Sequence, residues 1–343
     1  MIRIRPSVLA GGLVAALAVS LGVAVALGST SVALNDVYHV LAYRLGWTGL
    51  GAPEGTVERI VWDLRLPRVL AAMLVGGGLS IIGVAMQTLV RNPLAEPYLL
   101  GISSGASAGA SLFYLGLFPA LVARTLSMPI AAFLGGLLAI SIVYLVARDR
   151  SGLSVARLLL AGVAMSALMA SITSFITLAS PEPDKLRAIL FWLLGSLSGM
   201  RWEMLIAPTL VTTLGLGVLV GLARPLDAML VGEEPAQSLG VQVEWAKRVL
   251  IGLAALVTGT LVAISGAIGF VGLIVPHAVR LLVGVPHRRL VPLSFLAGAL
   301  FLVWADLVAR SALPTELPVG VVTALCGVPF FLVLLRQSAY RFG

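Results

Sequence analysis

The side chains that carry most enzyme chemistry are scarce in this sequence and are not grouped. Three histidines (His39, His277, His287) and one cysteine, Cys326, are scattered along 343 residues. Their spacing gives neither a metal-ligand cluster nor a nucleophile–base pair. A phosphate-binding loop needs Gly-x-x-x-x-Gly-Lys followed by Ser or Thr. The two lysines are Lys185, followed by Leu186, and Lys247, followed by Arg248, and neither fits. The chain is therefore read as a non-enzyme with no resident cofactor, metal or ATP motor.

What remains is charge placed for contact. Arg65, Arg68 and Arg310 stand beside apolar runs, where planar guanidinium forks could meet acidic groups of a partner. The local alternatives are ion pairs, Arg310 with Asp306 four residues earlier and Arg65 with Asp63. A second cluster lies in the loop 224–247. Glu233 and Glu234 precede Pro235, which suits a helix start, and Gly240 suits a stop. A short helix from about Glu234 to Leu239 is predicted, flanked by a turn at Leu226–Val231. That is more structure than a plain connector needs.

A third cluster is made of small residues. The stretch Gly101-Ile-Ser-Ser104-Gly105-Ala-Ser-Ala-Gly109 holds two overlapping Gly-x-x-x-Gly patterns. Such spacing either lets helix backbones approach closely or forms a smooth wall along a pathway for a bulky solute. His277 and His287, ten residues apart, are read as interfacial rather than as metal ligands.

The elements that must position these groups follow from composition. Hydrophobic residues make up 59% of the chain and charged residues 11%, against roughly 25% charged in soluble domains. A soluble globular protein is excluded. Apolar runs lie near 8–28, 69–90, 98–118, 127–147, 158–179, 204–223, 249–266, 269–284, 291–309 and 319–335. A bilayer core of about 30 Å takes around 20 such residues. The expected fold class is all-α: one polytopic integral-membrane domain over 1–343 with about ten transmembrane helices. The eighth run is short and carries Pro276, so a kinked or incomplete span is expected there.

A basic start at Arg3 and Arg5 also fits a signal peptide, but with so many spans following it is read as an uncleaved first helix. An inside N-terminus puts fourteen basic and six acidic residues on inside segments, and nine of each outside. The positive excess falls on one side, as cytoplasmic loops require, and both termini are then cytoplasmic. This accounts for the net charge of +8 without a nucleic-acid partner. Segments 29–67 and 180–201 lie outside, the first with an amphipathic helix over Asn35–Leu45. In the second, Ser180-Pro-Glu-Pro-Asp leads into a short helix through Leu194. The middles of the spans are read as free of ionisable residues, which argues against an ion-coupled secondary carrier. The capped inner loop argues against a passive channel.

Several stretches together resemble one family, the permease subunits of bacterial ABC importers for iron-siderophores, haem and vitamin B12. They are Arg65-Leu-Pro-Arg68, Gly83 through Gln87, and Arg91-Asn-Pro-Leu-Ala-Glu-Pro97 running into Leu100-Gly-Ile-Ser-Ser-Gly-Ala106. Phe191-Trp-Leu-Leu-Gly-Ser-Leu197 follows, then Gly266-Ala-Ile-Gly-Phe-Val-Gly-Leu-Ile-Val-Pro-His277 with Arg280. Pro314-Thr-Glu-Leu-Pro-Val-Gly320 and Gly327-Val-Pro329 close the series.

The resemblance implies a homodimer in the bacterial cytoplasmic (inner) membrane, with the pathway along its two-fold axis. Two ATPase subunits, which bind ATP and Mg, sit inside, and one solute-binding protein docks outside. It makes Arg65, Arg68 and Arg310 docking points for glutamates of the binding protein. Reversing Arg65 or Arg310 is then expected to weaken docking without unfolding the chain. Loop 224–247 becomes the coupling element toward the ATPase, with Glu233, Glu234, Gln237, Ser238, Leu239 and Gly240 as its contacts. The implied cargo is a metal chelate, a ferric siderophore first, with cobalamin or another corrinoid and haem as alternatives.

Overall fold

The computed structural model describes residues 4–28, 30–117, 126–150, 152–179 and 183–336. Arg3, Arg341 and Ser180-Pro-Glu182 lie outside the described residues. The apolar runs all fall on helices, which we number along the chain. They are α1 (Pro6–Ala26), α2 (Leu34–Arg44), α3 (Gly55–Val90), α4 (Ile102–Tyr114), α5 (Met128–Ala147), α6 (Val155–Leu178) and α7 (Pro183–Leu193). After these come α8 (Ile206–Gly221), α9 (Ala223–Val231), α10 (Glu233–Ser238), α11 (Val243–Ser265), α12 (Val271–Val283), α13 (His287–Ser311) and α14 (Val319–Arg336). The only sheet among the described residues is a two-residue hairpin pairing Arg148 with Leu153 and Asp149 with Gly152. The fold is all-α.

Seven helices among the described residues are long and apolar enough to cross a membrane: α1, α3, α5, α6, α8 (counted from Trp202), α11 and α13. Helices α4, α12 and α14 occupy the remaining apolar runs. The expected incomplete eighth span is α12, thirteen residues long with Pro276 inside it. One sequence reading is corrected here: His277 and Arg280 lie within α12, so the middles of the spans are not all free of ionisable groups.

Helix α3 is the axis of the structure. Its most apolar 18-residue window is 83% buried, against 22% for α1 and for α6. Helices α8, α11, α12 and α13 all pack on it. So complete an enclosure is possible because α3 is lined with small residues. A Cβ at Gly76 would lie 2.2 Å from the carbonyl oxygen of Gly298 in α13, and one at Gly83 would lie 2.0 Å from that of Gly272 in α12. Backbone therefore meets backbone at both crossings. Before this run, Arg59–Arg65 winds as a π-helical stretch, a local widening that is common at functional positions.

Candidate functional site

The N-terminal end of α3 gathers the three sequence-marked arginines around one cavity of about 350 Å³. Arg65, Arg68, Arg310, Ser198, Gly199 and Glu316 are among the residues lining it. Arg65 does not answer Asp63. Its guanidinium donates to the carbonyl oxygens of Val25 and Ala26 at 2.9 and 2.7 Å, and to both the carbonyl and the hydroxyl of Thr30. Arg310 donates to the carbonyl of Ala24. These carbonyls end α1, where the last turn has no intrahelical donors. Two guanidinium groups thus cap the negative end of that helix.

Arg68 serves carboxylates instead. Its Nε donates to both oxygens of Asp306, at 3.0 and 3.1 Å. Its outer nitrogen donates to both oxygens of Glu316, at 3.1 and 3.0 Å. Asp306 also pairs with Arg310 at 3.5 Å, so the local ion pair expected for Arg310 is present. Five charged groups share the site, and the cations outnumber the anions by one. The surroundings of Arg65 and Arg310 argue against the expectation that charge reversal there leaves folding intact. Both side chains are buried, and both satisfy backbone that has no other donor in the helix.

The C-terminal end of α3 meets the 224–247 loop, with Gly232 beside the Arg91 side chain. The predicted short helix is α10, starting at Glu233 and ending at Ser238, one residue earlier than expected at each end. Gly240 has φ +82° and donates to the Gln237 carbonyl at 2.8 Å while Val241 donates to that of Ala236, a left-handed helix stop. Glu234, Gln237, Ser238, Leu239 and Gly240 are exposed, and Leu239 is 74% exposed. Glu233 is turned inward. The Lys247 ammonium, itself buried, donates to Glu233 at 2.6 Å, to Glu244 at 2.9 Å and to the Leu153 carbonyl at 3.2 Å. Glu244 in turn accepts the Leu153 N–H at 2.9 Å, which ties the hairpin to the loop.

Sequence reasoning missed a second anchor of this loop. Asp227, on α9, accepts the backbone N–H of His287 at 2.9 Å and its ring Nδ1–H at 2.6 Å. The other ring nitrogen of His287 lies 2.7 Å from the Thr88 hydroxyl, on α3. Burial works to raise the Asp227 pKa, but the hydrogen bonds from the His287 ring and backbone outweigh it and hold the carboxyl below its ordinary range. These residues lie 60 and 199 positions apart, and no local pattern connects them.

The small residues of α4 resolve toward packing. A Cβ at Gly105 would lie 2.5 Å from the Gly135 carbonyl, and one at Gly109 would lie 2.3 Å from that of Ala131, both on α5. Gly101 takes φ +78° in the turn that starts α4. Ser104 is the half-buried member of the set.

The enclosed α3 thus has an arginine-lined cavity at one end and a capped, exposed turn at the other. The chain belongs to the FecCD transport family, whose model matches residues 15–337. It is a permease of an ABC importer of that family, which places it in the inner membrane as a multi-span protein. It is 45% identical over 298 residues to the cobalamin import system permease protein BtuC of Halobacterium salinarum, covering 85% of this chain and 77% of that one. It is 40% identical to the hemin transport system permease protein HmuU of Yersinia pestis, over 99% of each chain. It is 42% identical to the Fe(3+) dicitrate permease FecD of Escherichia coli, over 80% of this chain and 85% of that one. A solved metal-chelate type ABC transporter in an inward-facing conformation superposes with a TM-score of 0.82 and 32% identity, over 96% of this chain and 99% of that one.

Proposed function

We propose that this permease works as a homodimer of ten-helix subunits that imports a metal chelate by ATP-driven alternating access. The pathway runs along the dimer axis. A loaded solute-binding protein docks on the mouth formed by Arg65, Arg68 and Arg310. Two separate ATPase subunits hold the exposed face of α10 through Glu234, Gln237, Ser238, Leu239 and Gly240, with Glu233 braced behind them. ATP binding moves α9 and α10 and switches the facing state, because each state is stabilised by a different set of partners. Both termini are cytoplasmic. The observation that carries this reading is an arginine-lined cavity and an exposed, capped helix at opposite ends of α3 in a FecCD-family chain with no ATP motif.

The cargo we propose is a ferric siderophore. A corrinoid is the second reading, favoured by the relatives named for cobalamin and vitamin B12 at 45% and 41% identity. The test is uptake into proteoliposomes holding the permease, its ATPase and its binding protein, with radio-iron chelate and radiolabelled cobalamin offered in parallel. ATP-dependent accumulation of iron supports the first reading, and accumulation of cobalamin the second. Uptake driven by an ion gradient with no ATPase present overturns both.

A further inference from the structure

Asp227, His287 and Thr88 bridge three elements that the chain separates widely. Asp227 stands on α9, five residues before the Gly232 turn into α10. His287 is the first residue of α13 and is wholly buried, and Thr88 is in the last turn of α3, also wholly buried. Every polar atom of the His287 backbone N–H and ring has a partner within this set. The Asp227 carboxylate sits at the N-terminal end of α13, where the helix dipole favours negative charge. Thr88 also bonds back to the Val84 carbonyl at 2.9 Å, which fixes its hydroxyl against α3.

At its far end α13 is fastened to the same α3 by the Asp306–Arg68 pair. The two helices are therefore clasped at both ends, and between the clasps Gly76 and Gly298 bring their backbones into contact. A helix pair held in this way moves as a body rather than bending locally, because packed interiors are dense and stiff.

We infer that Asp227, His287 and Thr88 form a positioning cluster that fixes the α9–α10 turn to the α3–α13 pair, so that a displacement of α10 moves the outer arginine mouth with it. This rests on the reading of α10 as the ATPase contact. Within this inference the three residues act through the helix pair.

The test uses the full-length permease in nanodiscs, alone and assembled with its ATPase and binding protein. Thr88→Val removes the hydroxyl at nearly constant volume, Asp227→Asn removes the charge, and Thr88→Ser restores the hydroxyl. In the permease alone, the first two substitutions should speed amide exchange in 223–240 by roughly fivefold, the factor set by weakening one buried hydrogen bond. Exchange in 66–86 should stay as it is. In the assembly, basal ATP hydrolysis should persist while its stimulation by the binding protein falls severalfold, and Thr88→Ser should recover it. Unchanged exchange, or unchanged stimulation with faster exchange, overturns the inference. If Leu239→Glu leaves ATPase assembly untouched, the reading of α10 itself fails, and the exchange result still decides whether the cluster holds the turn.

Discussion

Arg68 and Asp306 lie 238 positions apart in the chain and meet through three short contacts, two from Nε and one from a terminal nitrogen, at 3.0 to 3.1 Å. Asp306 is 1% exposed, so its charge has almost no water to fall back on. Removing Arg68 leaves Asp306 only the longer contact to Arg310 at 3.5 Å. Arg68→Met should therefore cost about 3 kcal/mol of stability, the lower end for a buried pair broken from one side. The double variant Arg68→Met/Asp306→Leu should cost less than the sum of the two single changes. Thermal unfolding in one detergent gives both comparisons, and simple additivity would show the two charges to be independent.

Glu316 occupies the outer nitrogen of Arg68, the nitrogen that an incoming carboxylate would use. Glu316→Gln should release it and tighten docking of the binding protein severalfold at low salt. Arg68→Gln should weaken docking. Both effects should shrink as ionic strength rises, since exposed charges are screened within about 10 Å at 0.1 M salt. Surface-immobilised permease and titrated binding protein measure this directly, and weaker docking by the Glu316 variant would make that carboxylate a structural brace instead.

Close backbone approach gives a prediction of another kind. Gly83→Ala puts a methyl 2.0 Å from the Gly272 carbonyl, and Gly105→Ala puts one 2.5 Å from that of Gly135. Overpacking of this sort costs about 1–3 kcal/mol, and both variants should melt earlier. Gly22→Ala meets nothing within 4 Å and should melt with the parent protein. Equal melting of all three would mean that these crossings are loosely packed.

Acidity should act on the inner loop through Asp227. Its pKa is depressed in the folded protein, so the stabilisation it contributes is fully present above the ordinary carboxylate value. It is lost as pH falls through the lowered one. Amide exchange in 223–240, corrected for the intrinsic pH dependence, should accelerate over that acidic window. Asp227→Asn should abolish the pH response, while a response that survives the substitution would assign it to another carboxylate.

The transmembrane elements were legible in the sequence because hydropathy is a local property that burial in lipid or protein preserves. The α10 cap was legible for a similar reason: Pro235 and Gly240 have backbone preferences that need no tertiary context. Arg65 was recognised as important, yet its partners are main-chain carbonyls of α1, which every residue carries and no motif announces. Thr88, Asp227 and His287 were hidden because their meeting depends on how α3, α9 and α13 pack. The Gly-x-x-x-Gly patterns permitted two readings until the carbonyls of Gly135 and Ala131 were seen opposite them.

The enclosure of α3 has a consequence for the surrounding lipid. The helices outside it can tilt or stretch to suit a thicker or thinner bilayer, but α3 has almost no contact through which thickness could act on it. Its α-helical portion, Leu66–Val90, is 25 residues long, or roughly 37 Å at the usual helical rise. The distance between the arginine mouth and the α10 turn is thus a built-in ruler. Membranes of differing acyl-chain length should change the lean of α1 and α6 while leaving that distance constant.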